Sequence, residues 1–205
     1  MTTNNILLVK KDGRFLLEKT FQANAIYTLE KNQELEYIYI IFNNKLNIEV
    51  NLKDEASFAK IKVLYLANCS SEIDISVKMN HLFCNTTSVQ EIKGIAKDAA
   101  QVTFQGGIFI ENEAQHSDGY QNHRALLLSD TAKITSVPAL EIYADDVKCT
   151  HGSATGPLDK EGLFYLMSRG ISQKEAERIL IQSFINDIVP PEYQYLTNEW
   201  IALNV

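Results

Sequence analysis

Residues 46–56 run Leu46-Asn47-Ile48-Glu49-Val50-Asn51-Leu52-Lys53-Asp54-Glu55-Ala56. Four apolar side chains alternate with four polar ones and then break into an acidic turn. Side chains along a strand point to opposite faces in turn, so this stretch reads as a strand with one face buried and one wet. The pattern returns at Ile73, Ile75, Val77 and Met79, set against Asp74, Ser76, Lys78 and Asn80. It recurs at Ile61-Val63-Tyr65-Ala67, at Val102-Phe104 and at Ile108-Ile110, the last just after Gly106-Gly107. The turns resemble one another as well. An apolar residue or Ala, any residue, Asp or Asn, any residue, then Ala or Val occurs around Asp54, Asp98, Asn112, Asp130 and Asp145. Short Asp/Asn turns tolerate the conformations that a sharp corner needs. The steps from Asp98 to Asn112, Asn112 to Asp130 and Asp130 to Asp145 are short and similar. Corners recurring at such steps suggest stacked similar coils. The long interval from Asp54 to Asp98 does not fit that period, so periodicity alone leaves a sandwich or jelly roll open. At the N-terminus, Ile6–Val9 and Phe15–Leu17 flank Asp12-Gly13, a dipeptide suited to the positive φ of a hairpin turn.

The C-terminal quarter changes period. Leu163, Phe164, Leu166 and Met167 fit a short helix that stops at Arg169-Gly170, with glycine free to take the left-handed position past the end. Ser172 and Glu175 form a capping box for a second helix. Ala176, Ile179, Leu180, Ser183, Phe184 and Ile188 then recur on one face, and Pro190-Pro191 end it. That face either packs on its own domain or serves a partner. The division expected is a β core with N-terminal hairpin over 1–156 and a helical subdomain over 157–205.

A chain of 205 residues with 45% hydrophobic and 22% charged residues can bury an ordinary core. Its net charge of −7 argues against a nucleic-acid binder, which needs a basic face. No apolar run reaches the roughly 18 residues that span a bilayer. The opening Met1-Thr2-Thr3-Asn4-Asn5 lacks the basic region of a signal peptide, so no membrane is expected and the cytoplasm is the expected compartment. Three separated cysteines make neither a disulfide framework nor a closed zinc site. Cys69 and Cys84 read as small buried hydrophobes. His116 and His123 flank Ser117-Asp118-Gly119, read as a polar turn with exposed histidines, and His81 has no evident partner. No Walker loop or nucleophile elbow occurs, so the chain is read as no enzyme, and any ATP hydrolysis belongs to a partner.

The segment from Pro138 to Ile188, PALEIYADDVKCTHGSATGPLDKEGLFYLMSRGISQKEAERILIQSFINDI, resembles the C-terminal signature of the SufB/SufD family. The likeness lies in LEI-x-ADDVKC-x-HG, Leu158-Asp159, LFYL-x-SRGIS and the capped helix, in that order. Upstream, Lys93-Gly94 with Val102-Thr103-Phe104-Gln105-Gly106 is similar to the family's KG…F-G segment. Tyr120-Gln121-Asn122 and Leu126-Leu127-Leu128-Ser129 are similar to its Q-x-N-x-x-LLLS segment. The clear match covers about residues 86–189. His151-Gly152, where SufB-like chains tend to carry His-Glu, and the absence of cysteine over Asn122–Ser136 select a SufD-like branch. The chain looks like a short form, starting almost directly with strands where family members carry an N-terminal helical region. Pro157 stands where the family more often has Gln or Arg.

The resemblance implies a mainly β fold, a right-handed parallel β-helix (solenoid) with a small C-terminal helical subdomain. It also implies an iron–sulfur cluster assembly scaffold that pairs with a SufB-like subunit. It implies docking of a SufC-like ABC ATPase on the C-terminal helices, with Leu163, Phe164, Ala176, Ile179, Leu180 and Phe184 as partner-binding residues. The family's C-x-H motif maps to Cys149 and His151 as transient ligands of iron or of an Fe–S cluster shared with the partner chain. On a strand, Val147, Cys149 and His151 share one face, and thiolate with imidazole suits iron. Two ligands are too few to hold a cluster, so the partner must complete the set, and Cys149 has the alternative of facing the packed interior beside Val147. Two rival readings stand beside this one: an interaction module that stabilises its partners without binding iron, and a homodimer built through unpaired strand edges. Asp145 is accounted for as a corner residue, and Gly106-Gly107 as a bulge or close coil stacking.

Overall fold

The computed structural model describes residues 4–18 and 20–205. The first three residues, part of the stretch read for a signal peptide, lie outside the described residues. Twelve strands among them come first: β1 (Ile6–Lys11), β2 (Arg14–Leu17), β3 (Asn24–Leu29), β4 (Glu34–Ile41), β5 (Asn44–Leu52) and β6 (Phe58–Ala67). They continue as β7 (Glu72–His81), β8 (Thr87–Ala96), β9 (Gln101–Ile110), β10 (Asp118–Leu127), β11 (Lys133–Ile142) and β12 (Lys148–Pro157). Helices α1 (Lys160–Ser168), α2 (Gln173–Asn186) and α3 (Tyr195–Asn204) follow, with a short 3-10 turn at Pro191–Tyr193.

The chain winds as a parallel β-solenoid of about four turns. Odd strands stack as a five-stranded sheet in the order β11-β9-β7-β5-β3. Even strands stack opposite as β12-β10-β8-β6-β4, extended by the antiparallel β1-β2 hairpin. One coil is the chain between stacked partners, as from Leu46 to Ile75 or from Gly119 to Cys149. Parallel stacking decides against the sandwich and the jelly roll. Asp12 and Gly13 carry the hairpin with φ of 50° and 75°.

The long interval between Asp54 and Asp98 hides two corners. They lie at 68–71 and 82–86, and each uses a left-handed residue that the Asp/Asn turn pattern does not select: Cys69 at φ 55° and Asn85 at φ 57°. Cys69 is exposed there, its amide held by the Asp98 carboxylate at 3.1 Å, and Cys84 is half-buried. Neither is the buried hydrophobe that composition suggested, because both stand on corners, outside the alternating runs.

Inward-facing residues fill the solenoid: Leu46, Ile48, Val50, Ile61, Val63, Ile75, Val77 and Phe104 among them. The outer face of the even sheet is also apolar. Leu8, Ile38, Ile40, Leu64, Leu66 and Ile95 meet Ile181, Ile185, Ile188, Val189, Trp200 and Ile201 from the C-terminal helices. Lys93 pins that cover. From the outer face of β8 its buried ammonium reaches the Asp187 carboxylate and the Phe184 carbonyl at the end of α2, and it lies over the Phe184 ring. The next residue, Gly94, points inward. A Cβ there would overlap the Tyr65 ring, so glycine is what lets Tyr65 cross the interior. The Lys-Gly pair thus serves both faces of one strand. Helix α1 has no buried residue at all.

Candidate functional site

At its C-terminal end the solenoid is open. β11 pairs only with β9, and β12 only with β10, so each leaves one edge without a strand. The register fixes which side chains of β12 face inward: Cys149 follows Gly119, His151 follows Gln121 and Ser153 follows His123. The alternation that fills the coils below with aliphatic groups therefore brings a thiol, an imidazole and a hydroxyl into the last coil.

Cys149 is half-buried, packed with Val147 against Ile108, Ile110, Ala114 and Ala144. Its sulfur sits over Gly119, where a Cβ would approach to 3.2 Å. Burial pushes its thiol pKa up. The free chain therefore holds a protonated thiol, and a metal must displace the proton to be ligated. His151 is exposed, and no protein group among the described residues hydrogen-bonds its imidazole. The two are brought to one inward face at one open end, and Cys149 packs beside Val147 there. Among the described residues, no group of three or more His, Cys, Asp and Glu side chains is placed to hold a metal.

The corner leading into β12 is clipped to the coil beneath. The His116 amide donates to the Asp146 carbonyl at 2.6 Å, the His116 ring meets the Asp146 carboxylate at 2.8 Å, and the Gln115 side chain accepts from the Asp146 amide. His116 is exposed as expected. His123 is not. Asp118-Gly119 opens β10, with Ser117 just before it, instead of forming a turn, and the polar look of the tripeptide conceals a strand start. His123 consequently lies wholly buried, stacked on Phe104 and Tyr65, with Nε2 at 2.9 Å from the Tyr65 hydroxyl and Nδ1 at 3.3 Å from Ser153 Oγ. Ser153 in turn donates to Ser136 across the last coil at 3.0 Å. Its oxygen is then left to accept from Nδ1–H, and Nε2 to accept from Tyr65, so one neutral tautomer satisfies the whole chain. His81 is buried likewise, between Thr86 and Ser88 at 2.7 Å each.

Opposite the inward face, Asn122 and Gly152 stand side by side on the outer surface of β10 and β12. The helical partner candidates divide. Phe164 is 75% exposed and Ile179 40% exposed. Leu163, Leu180 and Phe184 are half-buried. Ala176 is fully buried, so it supports the helix from below and offers nothing to a partner. The partner-binding set read from the sequence leaves out Tyr165 and Met167, which extend the exposed apolar face of α1. No helix among the described residues is long and apolar enough to cross a membrane.

The profile of the family described as “SUF system FeS cluster assembly, SufBD core domain” matches residues 19–184. The chain is 35% identical over 144 residues to the iron–sulfur cluster assembly protein SufD of Escherichia coli, covering 69% of this chain and 34% of that protein. It is 29% identical to the assembly protein SufB of Bacillus subtilis, over 100% of this chain and 48% of the relative. Over a shorter stretch, 47% of this chain and 22% of the relative, it is 41% identical to SufD of Bacillus subtilis. The chain thus spans less than half the length of these curated relatives.

Proposed function

Because the chain belongs to the SufB/SufD family of iron–sulfur cluster assembly proteins, we propose that it is a noncatalytic scaffold on which a nascent cluster forms, at a seam with a SufB-like chain. The observation that carries this reading is the inward face of the last coil. It presents an unpartnered, exposed imidazole and a half-buried thiol at an end where both sheets still have free edges. An imidazole and a thiolate suit iron, and two ligands with no third nearby among the described residues suit cargo that a second chain helps to hold and then releases. Gly152, where SufB-like chains tend to carry an acid, and the cysteine-free stretch Asn122–Ser136 support the SufD-like side of such a pair. The exposed apolar face of α1, made by Phe164, Tyr165 and Met167, suits docking of a SufC-like ATPase.

The raised thiol pKa favours a second reading, a module that stabilises its partners without touching iron. Substituting His151→Ala and Cys149→Ala separately decides between them. In complexes co-purified with the partner subunits, His151→Ala should remove most of the bound iron and acid-labile sulfide while subunit stoichiometry stays normal. Cys149→Ala should remove less. If both variants load iron as the wild type does, direct ligation fails and the module reading stands.

A further inference from the structure

Below His151 the interior holds two glutamines on successive rungs of one column, Gln90 on β8 and Gln121 on β10. Both are wholly buried. Gln90 spends its amide nitrogen on the Gly107 carbonyl across the interior at 2.9 Å, and its Oε1 has no protein partner. Gln121 has none for Nε2 or Oε1. Its amide lies so close against Gly106 that a Cβ there would overlap Nε2. The Gly106-Gly107 pair is therefore a cradle: one glycine makes room for an amide, and the next offers its carbonyl to the other. Buried amides are normally paired, so three orphan atoms on two adjacent rungs call for an occupant.

We propose that Gln90 and Gln121 form an interior binding slot for a single water molecule, one rung beneath His151. The unpaired atoms are two carbonyl oxygens and one amide NH2 nitrogen, which suit a small molecule that can donate twice and also accept. An anion would face both oxygens, and an apolar guest would leave all three atoms unpaired. Buried waters typically make about three hydrogen bonds to such groups. The slot stands on these contacts alone and holds whether or not His151 ligates iron.

A crystal structure of the whole chain at a resolution that shows ordered water, from two crystallisation conditions, tests it together with the near-isosteric variant Gln121→Met. In both wild-type crystals, water density should lie within hydrogen-bond reach of the Gln121 amide, and it should vanish in the variant. Wild-type density that is absent, that belongs to a crystallisation additive, or that shows the amide turned onto a protein group overturns the slot. Thermal melting gives an independent reading. An amide satisfied by water should make Gln121→Met equal to or less stable than wild type. A Tm raised by more than about 2 °C would mean that the variant removed a truly unpaired group, and the slot would be wrong. If the variant does not fold, the wild-type density decides alone.

Discussion

Two imidazoles are buried in the interior, and their protonation is written into the stability of the chain. Burial pushes His81 and His123 down from the ordinary value of 6.5 to about 4. Each is neutral when folded and gains its proton readily only when unfolded. Between pH 6.5 and 4 the unfolded chain therefore binds more protons, so stability is complete above this window and is lost as pH falls through it. The slope should be about 1.4 kcal/mol per pH unit for each histidine while the difference persists. For His123 the geometry agrees, since a proton on Nε2 would oppose the Tyr65 hydroxyl that now donates to it. Glu55, beside Lys31, has its pKa lowered, so it adds to the loss only at the acid end. Urea unfolding at pH 7, 6 and 5 measures the effect. A free energy that stays flat across those three values would show that these rings are hydrated in the folded chain.

Helices α1 and α2 differ in what they bury, and their mutations should differ accordingly. Ile185 is fully buried between α2 and the even sheet, so Ile185→Ala should cost about 2–5 kcal/mol. Phe164 is 75% exposed on a helix with no fully buried residue, and Phe164→Ala should change stability by no more than about 0.5 kcal/mol. Chemical unfolding of both variants checks the contrast, and comparable losses would mean that α1 is part of the core. This is also where the sequence was harder to read. The capped start of α2 at Ser172, whose hydroxyl accepts from the Glu175 amide, was legible because a cap is local chemistry. The buried face was not. α2 carries two apolar stripes, and the one read at three- and four-residue steps shares only Ala176 and Ile188 with the residues that are buried. Ile181 and Ile185 lie on the other, and periodicity cannot tell which stripe meets a sheet built far upstream in the chain. Alternation likewise exposed the aliphatic coils at once. It faded over β10 and β12, where the inward positions hold Gln121, His123, Cys149 and His151 and the interior no longer looks apolar. The site residues escaped periodicity for that same reason and were legible only through the C-x-H resemblance.

Along the whole molecule the interior grades from aliphatic to polar, ending in a last coil whose inward groups are half-buried or exposed. Such an end is incomplete as a fold, and its two strand edges are not equivalent. Lys133 and Lys148 donate their amides to the coil below, so on both edge strands the alternate residues direct their N–H groups outward. On β11 one of those outward positions is Pro138, which blunts the edge at mid-strand without losing a ladder bond. β12 carries no proline between Lys148 and Gly156, so its edge is the one fit to accept another strand. Thr155 is an outward-donating position on it, and its side chain makes no hydrogen bond among the described residues. Thr155→Pro should therefore remove one donor from the open edge and leave the ladder to β10 intact. If a second chain completes the solenoid through β12, this variant should associate more weakly with a SufB-like partner, or with a second copy, by light scattering, while its far-ultraviolet circular dichroism stays that of wild type. Proline at Leu140, an outward position on the edge already blunted by Pro138, should have much less effect. Undiminished association of Thr155→Pro would place the seam elsewhere, and with it the ligands that the partner is proposed to bring to His151.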